Sequence, residues 1–208
     1  VNEFWNMISL LELVLAHNKL EEPQSIHNIS YFTEQIYKEV QLNYPKLNIS
    51  DEEIENVSKL ATIHDIGKLF TPYEILNKKG KLTKDEMDII KKHPLNGANM
   101  ALKLPKCGKA SKLVQYAHNI CLYHHERYDG QGYPKGLIGD EIPLCAQVVG
   151  LADAYDALIS ERPYKRKINH GEAVRMIVNG ECGSFSPKVI LSFIIASMNK
   201  TWIEKVSK

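Results

Sequence analysis

The sequence predicts an all-α domain with one long loop rich in glycine and proline. Three observations carry that prediction. Apolar side chains recur at three- and four-residue intervals in several segments. Ser50 with Glu53, and Thr83 with Glu86, repeat the capping-box spacing that opens a helix. No segment shows sustained period-two alternation of strand-forming residues.

Phe4, Ile8, Leu11 and Leu15 mark one face of a helix over residues 3–18. A second helix is expected over 24–43, stopping before Pro45, whose ring disfavours helix in the residue ahead of it. The Ser50 cap starts a third helix that should run to about Asp65. The Thr83 cap starts a short one ending near His93-Pro94. Residues 94–104 and 109–125 read as two more. Ala146–Ile159 is a strongly apolar helix that nevertheless carries Asp153 and Asp156, and helices at 170–179 and 187–200 finish the chain. Residues 126–143 hold four of the twelve glycines and two of the nine prolines. A segment of that length without periodicity inside a domain is often functional. The main domain is placed at 21–208. Residues 1–20 form an N-terminal helix that serves as a linker or partner helix, or else packs on its own domain.

The 208 residues fit one domain and carry 44% apolar side chains, enough for a sizeable core. Lysine and arginine number 26 against 25 acidic residues, a balance that argues against binding long nucleic acid by bulk charge. The balance is uneven: the first 60 residues carry 4 basic and 10 acidic side chains, the remainder 22 and 15. The four cysteines (Cys107, Cys121, Cys145 and Cys182) form no CxxC pair and no close cluster, so reduced thiols are the plain reading. No apolar run reaches the roughly 18–20 residues a membrane span needs, and no basic-then-apolar signal segment opens the chain. The first residue is Val, as in a fragment of a longer protein.

The chemistry concentrates at His64-Asp65-Ile66-Gly67-Lys68. An imidazole beside a carboxylate offers mixed nitrogen and oxygen donors suited to Fe, Mn, Zn or Ni. Further candidate ligands are His27 in the second helix, His93 before a proline, the pair His124-His125 at a helix end, and Asp153. Each has a plainer alternative. His27 alone reads as a polar surface residue, His93 as a residue at a helix C-terminus, and His124-His125 as an ordinary polar helix end. Asp153 lies within Val-Val-Gly-Leu-Ala-Asp-Ala-Tyr, where an unpaired charge is costly, and a metal or a basic side chain would satisfy it. The plain readings are separately reasonable and jointly poor.

His64-Asp65 is similar to the motif of the HD superfamily of metal-dependent phosphohydrolases. The run His124-His125-Glu126-Arg127-Tyr128-Asp129-Gly130-Gln131-Gly132-Tyr133-Pro134 resembles the defining loop of its HD-GYP group. The likeness continues through Ala152–Leu158 and Arg162-Pro163-Tyr164-Lys165, and it spans roughly residues 25–198. This resemblance implies a compact HD-type helical domain, hydrolysis of cyclic di-GMP, a cytoplasmic location and, often, an upstream receiver or sensor domain. It implies one metal on His27, His64, Asp65 and Asp153, and a second on His93, His124 and His125 with Asp65 bridging. Iron or manganese is the expected metal. Some relatives add a glutamate one turn before the first histidine and bind a third ion. That position is Pro23 here, with Glu21 and Glu22 out of register, so two ions are expected. Ser30 stands where many members have arginine.

The expected reaction is attack on phosphorus by a hydroxide bridging the two metals, giving pGpG and then GMP. Asp65 and Lys68 are the expected catalytic residues. Lys68, Tyr133, Arg162 and Lys165 are the expected substrate contacts, although a solvated basic surface is the plain alternative for the cations. Asp156 either orients a ligand histidine or pairs with a basic side chain. His17, His118 and His170 are read as non-ligands. Partners are a cyclic dinucleotide and, through the N-terminal helix, a second copy of the chain; no membrane and no long nucleic acid are expected. The alternatives are another cyclic dinucleotide or nucleotide as substrate, or an inactive signalling module.

Overall fold

A computed structural model describes residues 1–105, 110–160 and 167–206. Eleven α-helices occur among them: α1 Asn2–His17, α2 Pro23–Asn43, α3 Asp51–Ala61, α4 Tyr73–Leu76, α5 Lys84–Ile90, α6 His93–Ala101, α7 Ala110–Tyr123, α8 Leu144–Ile159, α9 His170–Val178, α10 Pro187–Ser197 and α11 Lys200–Val206. Short 3₁₀ turns lie at Pro45–Leu47, Ile66–Phe70 and Gly139–Glu141. No strand occurs among the described residues, only one isolated antiparallel bridge between Asp129 and Ile138 inside the long loop.

The helix starts follow the sequence signals. Ser50 Oγ accepts from Glu53 N at 3.1 Å, and Thr83 forms the reciprocal box with Glu86. The Ser50 box is only half made. The Glu53 carboxylate accepts from Tyr37 Oη at 2.6 Å instead of returning to the cap, and so ties α3 to α2. Pro23 opens α2 at a position where its missing N–H costs nothing.

α8 is the central element. Val148, Val149, Leu151, Ala152 and Tyr155 are buried, and α2, α7 and α9 pack around it. α2 places Phe32 against Tyr155, with ring centroids 5.0 Å apart, and α3 and α10 pack on α2 in turn. α1 puts Phe4, Ile8 and Leu15 into this same core, whereas Met7, Leu10 and Leu13 on its outer side are exposed. The C-terminal helix expected over 187–200 breaks after Ser197, and a separate α11 follows. That break turns Trp202 inward, where its Nε1–H donates to Tyr155 Oη at 3.0 Å and the Tyr155 hydroxyl meets His170 Nδ1 at 2.7 Å. A seven-residue helix is too short to show a period, and so is α4.

The third helix also differs from expectation. It ends at Ala61, and the His64-Asp65 pair lies on tightened turns beyond it. His64 N bonds Ala61 O, Ile66 N bonds Ile63 O, and Lys68 N bonds Asp65 O, each three residues back. Close packing explains the tightening. A Cβ on Gly67 would lie 1.9 Å from the His93 carbonyl oxygen and 2.5 Å from Gly97 N, so this segment rests directly on the backbone of α6. Gly150 does the same between α8 and α7, where a Cβ would meet the His124 carbonyl oxygen at 2.4 Å. Two glycines therefore set how closely the four ligand-bearing segments approach in pairs.

Gly67→Ala should destabilise the domain by about 3 kcal/mol, the upper end for overpacking, because the neighbour is backbone and cannot swing aside. Urea unfolding followed by circular dichroism measures this, and a midpoint equal to wild type would contradict the packing.

Candidate metal centre

Four segments deliver donors to one point. His64 and Asp65 follow α3, His93 is the first residue of α6, His124 and His125 follow α7, and Asp153 lies in α8. His64, Asp65, His93 and His124 are each at most 4% exposed. Three imidazoles are fixed in the same way. His64 Nδ1 lies 2.8 Å from Ala61 O, His93 Nδ1 lies 2.8 Å from Ile90 O, and His124 Nδ1 lies 3.0 Å from both Ile120 O and Cys121 O. A carbonyl only accepts, so each Nδ1 carries the proton and donates it. In the neutral, metal-binding form each Nε2 then presents a lone pair to the centre.

Those lone pairs converge on Asp65. His93 Nε2 lies 3.0 Å and His124 Nε2 lies 3.7 Å from Asp65 Oδ1, and the two nitrogens are 3.3 Å apart. On the other carboxylate oxygen, His64 Nε2 lies 3.3 Å from Oδ2, and it also lies 3.7 Å from Asp153 Oδ1. Asp65 Oδ1 and His64 Nε2 are buried without a hydrogen-bond partner. Acceptors crowded together in a buried site need a positive charge among them. The donor atoms form two groups able to hold a cation: Asp65, His93, His124 and His125 on one side, and Glu21, His64 and Asp65 on the other. Asp65 belongs to both.

Six of the seven expected ligands thus meet. His27 is the exception: it is exposed on α2 and belongs to neither group. Its neighbours Ser25 and Asn28 take the face toward α8, where both donate to Asp156. Glu21 was read as out of register, but helical register does not govern it because α2 starts only at Pro23. Lys68 Nζ bridges the Asp65 and Glu21 carboxylates, 3.1 Å from Glu21 Oε1. Among the described residues, Asp156 neither orients a histidine nor meets a basic group. It is 1% exposed and accepts from Ser25, Asn28 and Ser160. The Tyr133 ring stacks on His125 at 4.8 Å, so that face is not open to a substrate base. Arg162 and Lys165 lie outside the described residues. His17, His118 and His170 stand apart from both groups.

Sequence reasoning missed Glu126. It is buried, and it accepts from Lys135 N at 2.7 Å and Leu137 N at 3.0 Å, closing the long loop on itself. Its place directly after the histidine pair was the available signal. Arg127 continues the lock, donating to the His124 and Glu126 carbonyls and lying 4.9 Å from the Phe185 ring centroid.

The family model described as the HD domain matches residues 16–189 of this chain. The chain belongs to the HD domain family. Within it, the His124–Pro134 run resembles the loop of the HD-GYP group. Among curated proteins, the chain is 44% identical over 152 residues to a probable cyclic di-GMP phosphodiesterase of Vibrio cholerae, covering 73% of this chain and 34% of that protein. It is 42% identical over 151 residues to a cyclic di-GMP phosphodiesterase of Pseudomonas aeruginosa, covering 73% of this chain and 35% of that protein. The chain therefore spans about a third of the length of these relatives. Among solved structures, a cyclic GMP-AMP specific phosphodiesterase of Vibrio cholerae shares the fold with a TM-score of 0.60 at 16% identity, covering 96% of this chain and 51% of that one. HD domains bind divalent metal, and the donors gathered at Asp65 fit such an ion.

The charges of this HD site are strongly coupled. Burial pushes Asp65 up, but Lys68, His64 and His93 outweigh it and hold the carboxyl well below the usual carboxylate range. Burial pushes His64 down, but Asp65 and Asp153 raise it well above an ordinary imidazole. Burial keeps His124 low and His125 well below the ordinary value, so both stand as neutral donors. Burial raises Glu21 to about 7 against the pull of Lys68, whose charge is answered first by Asp65. Without metal, a proton on His64 Nε2 faces Asp65 and Asp153, and a metal ion must displace it.

The sign of the pH dependence follows. Below the raised His64 pKa the ion that His64 takes up must expel a proton, so its affinity falls about tenfold for each unit that the pH falls. Calorimetric titration of Mn(II) at pH 7 in buffers of different ionisation enthalpy should report release of about one proton. Zero release, with affinity flat from pH 6 to 8, would contradict this arrangement.

Proposed function

We propose that this chain is a metal-dependent phosphodiesterase that opens cyclic di-GMP to linear pGpG and cuts again to give GMP. The observation carrying the proposal is the convergence of the His64, His93 and His124 lone pairs on the two oxygens of one buried carboxylate. A single bridging aspartate between two donor groups suits a pair of ions sharing a ligand, and mixed imidazole and carboxylate donors suit iron or manganese. The names of the two curated relatives support the substrate class.

When bound, such a metal pair supplies Lewis acidity toward a phosphate oxygen and lowers the pKa of water. The chain's own residues do the rest. Asp65 ties the two halves together, while His93, His124 and His125 hold one half. His64 and Asp153 hold the other, with Glu21 within reach of it. Lys68 is 22% exposed at its side chain, and in this reading its ammonium meets a non-bridging phosphate oxygen. Arg162 and Lys165 complete the phosphate contacts in this reading. The six donors gathered around Asp65 argue against an inactive signalling module.

Anaerobically purified protein loaded with Fe(II) or Mn(II) should hold two ions per chain and convert cyclic di-GMP to pGpG in product chromatography. Asp65→Ala should lose metal and slow turnover by more than ~100-fold, since changes at residues that merely support ligands already cost that much. Fully metallated protein that leaves cyclic di-GMP intact would overturn the reading, and selective cleavage of 3′3′-cyclic GMP-AMP in its place would reassign the substrate.

A further inference from the structure

His125 differs from the other three histidines of the cluster in what holds it. His64, His93 and His124 each donate Nδ1–H to a backbone carbonyl at the end of the preceding helix. Among the described residues, neither ring nitrogen of His125 has a hydrogen-bond partner. Rings bracket it instead. Tyr133 stacks on it with centroids 4.8 Å apart and planes inclined by 26°, the His124 ring lies 4.0 Å away, and the His93 ring meets it edge-on at 4.9 Å.

Tyr133 is itself held firmly. Its backbone N–H donates to the His125 carbonyl at 3.2 Å, so residue 133 grips residue 125 through both main chain and ring. The loop carrying it is closed from the far side by Glu126, through Lys135 N and Leu137 N. Lys91 Nζ lies 5.3 Å from the Tyr133 ring centroid, within cation–π range. An untethered imidazole turns about two side-chain torsions and must give up that freedom to bind a metal. A fixed aromatic face removes it beforehand.

We propose that Tyr133 is a positioning residue for the metal centre: its ring holds the His125 imidazole in place, doing with an aromatic face what a carbonyl does for the other three histidines. The inference rests on the two-metal reading above. It assigns to the loop tyrosine a task in metal affinity, where the sequence suggested contact with substrate. The aromatic face is what acts, so the hydroxyl is dispensable.

The test compares wild type with Tyr133→Phe, Tyr133→Leu, Tyr133→Met and His125→Ala by Mn(II) titration and metal analysis, with folding checked by circular dichroism. Wild type should take two ions, and Tyr133→Phe should match it at both. Tyr133→Leu should weaken one of the two ions by about 10–100-fold, as loss of a ligand-orienting contact does. The affected ion should be the one His125→Ala also weakens. Tyr133→Met, flexible and without an aromatic face, should behave like Tyr133→Leu and replaces it if that variant does not fold. Wild-type Mn(II) affinity in Tyr133→Leu or Tyr133→Met, with a raised KM for the cyclic dinucleotide, would overturn the proposal and return the ring to substrate. Tyr133→Phe behaving like Tyr133→Leu would overturn it by making the hydroxyl the active part. A wild type that takes up no Mn(II) would sink the metal reading itself, separately from the variants.

Discussion

Imidazole lone pairs from three segments of the chain meet the oxygens of one buried carboxylate, and much of the architecture serves to make that meeting possible. Acceptors repel one another, and hydrophobic burial alone would not bring them together. The chain brings them together with backbone. Each Nδ1–H is spent on a carbonyl near a helix end, which leaves the ring no choice of tautomer. Gly67 and Gly150 let main chain approach main chain where a methyl group would intervene. The packing of α8 between α2 and α7 then fixes the distance over which Asp153 reaches His64.

A second tier of polar contacts keeps these segments from drifting. Asp156 fastens α2 to α8, Glu53 fastens α2 to α3 through Tyr37, and Glu126 folds the glycine-rich loop back beside the histidine pair. α11 is tied to the same helix, since its Trp202 donates to Tyr155 on α8, two residues beyond Asp153. Charge is balanced locally as well. Lys68 satisfies Asp65 and Glu21 from within the chain, which spares the core an uncompensated negative pair.

The helical class, the capped starts and six of the seven candidate donors that the fold brings together were legible in the sequence because each depends on local spacing or on residue type. What was hidden depends on tertiary contact. The ending of α3 at Ala61 follows from Gly67 resting on His93 O, a neighbour 26 residues away that no window contains. The nearness of Glu21 to His64 and Asp65 was hidden because helical register says nothing of a residue ahead of Pro23, where α2 begins. His27 satisfies the motif by type and spacing, but its side-chain direction is settled by which face of α2 meets α8. Asp156 carries the signal of a buried carboxylate as clearly as Asp153 does, and only the identity of its neighbours separates a structural role from a ligand role.

That last distinction has a consequence for fidelity. Asp153 and Asp156 sit one turn apart on the same apolar helix, and a divalent ion entering the fold would meet two carboxylates of equal intrinsic appeal. A carboxylate offers about four lone-pair positions. At Asp156, three are taken by neutral donors from Ser25, Asn28 and Ser160. Those donors carry no charge for an ion to displace favourably, and removing them would undo the joint between two helices. With three positions filled, Asp156 has less to offer an ion than Asp153 does, and occupancy helps to separate two chemically identical groups.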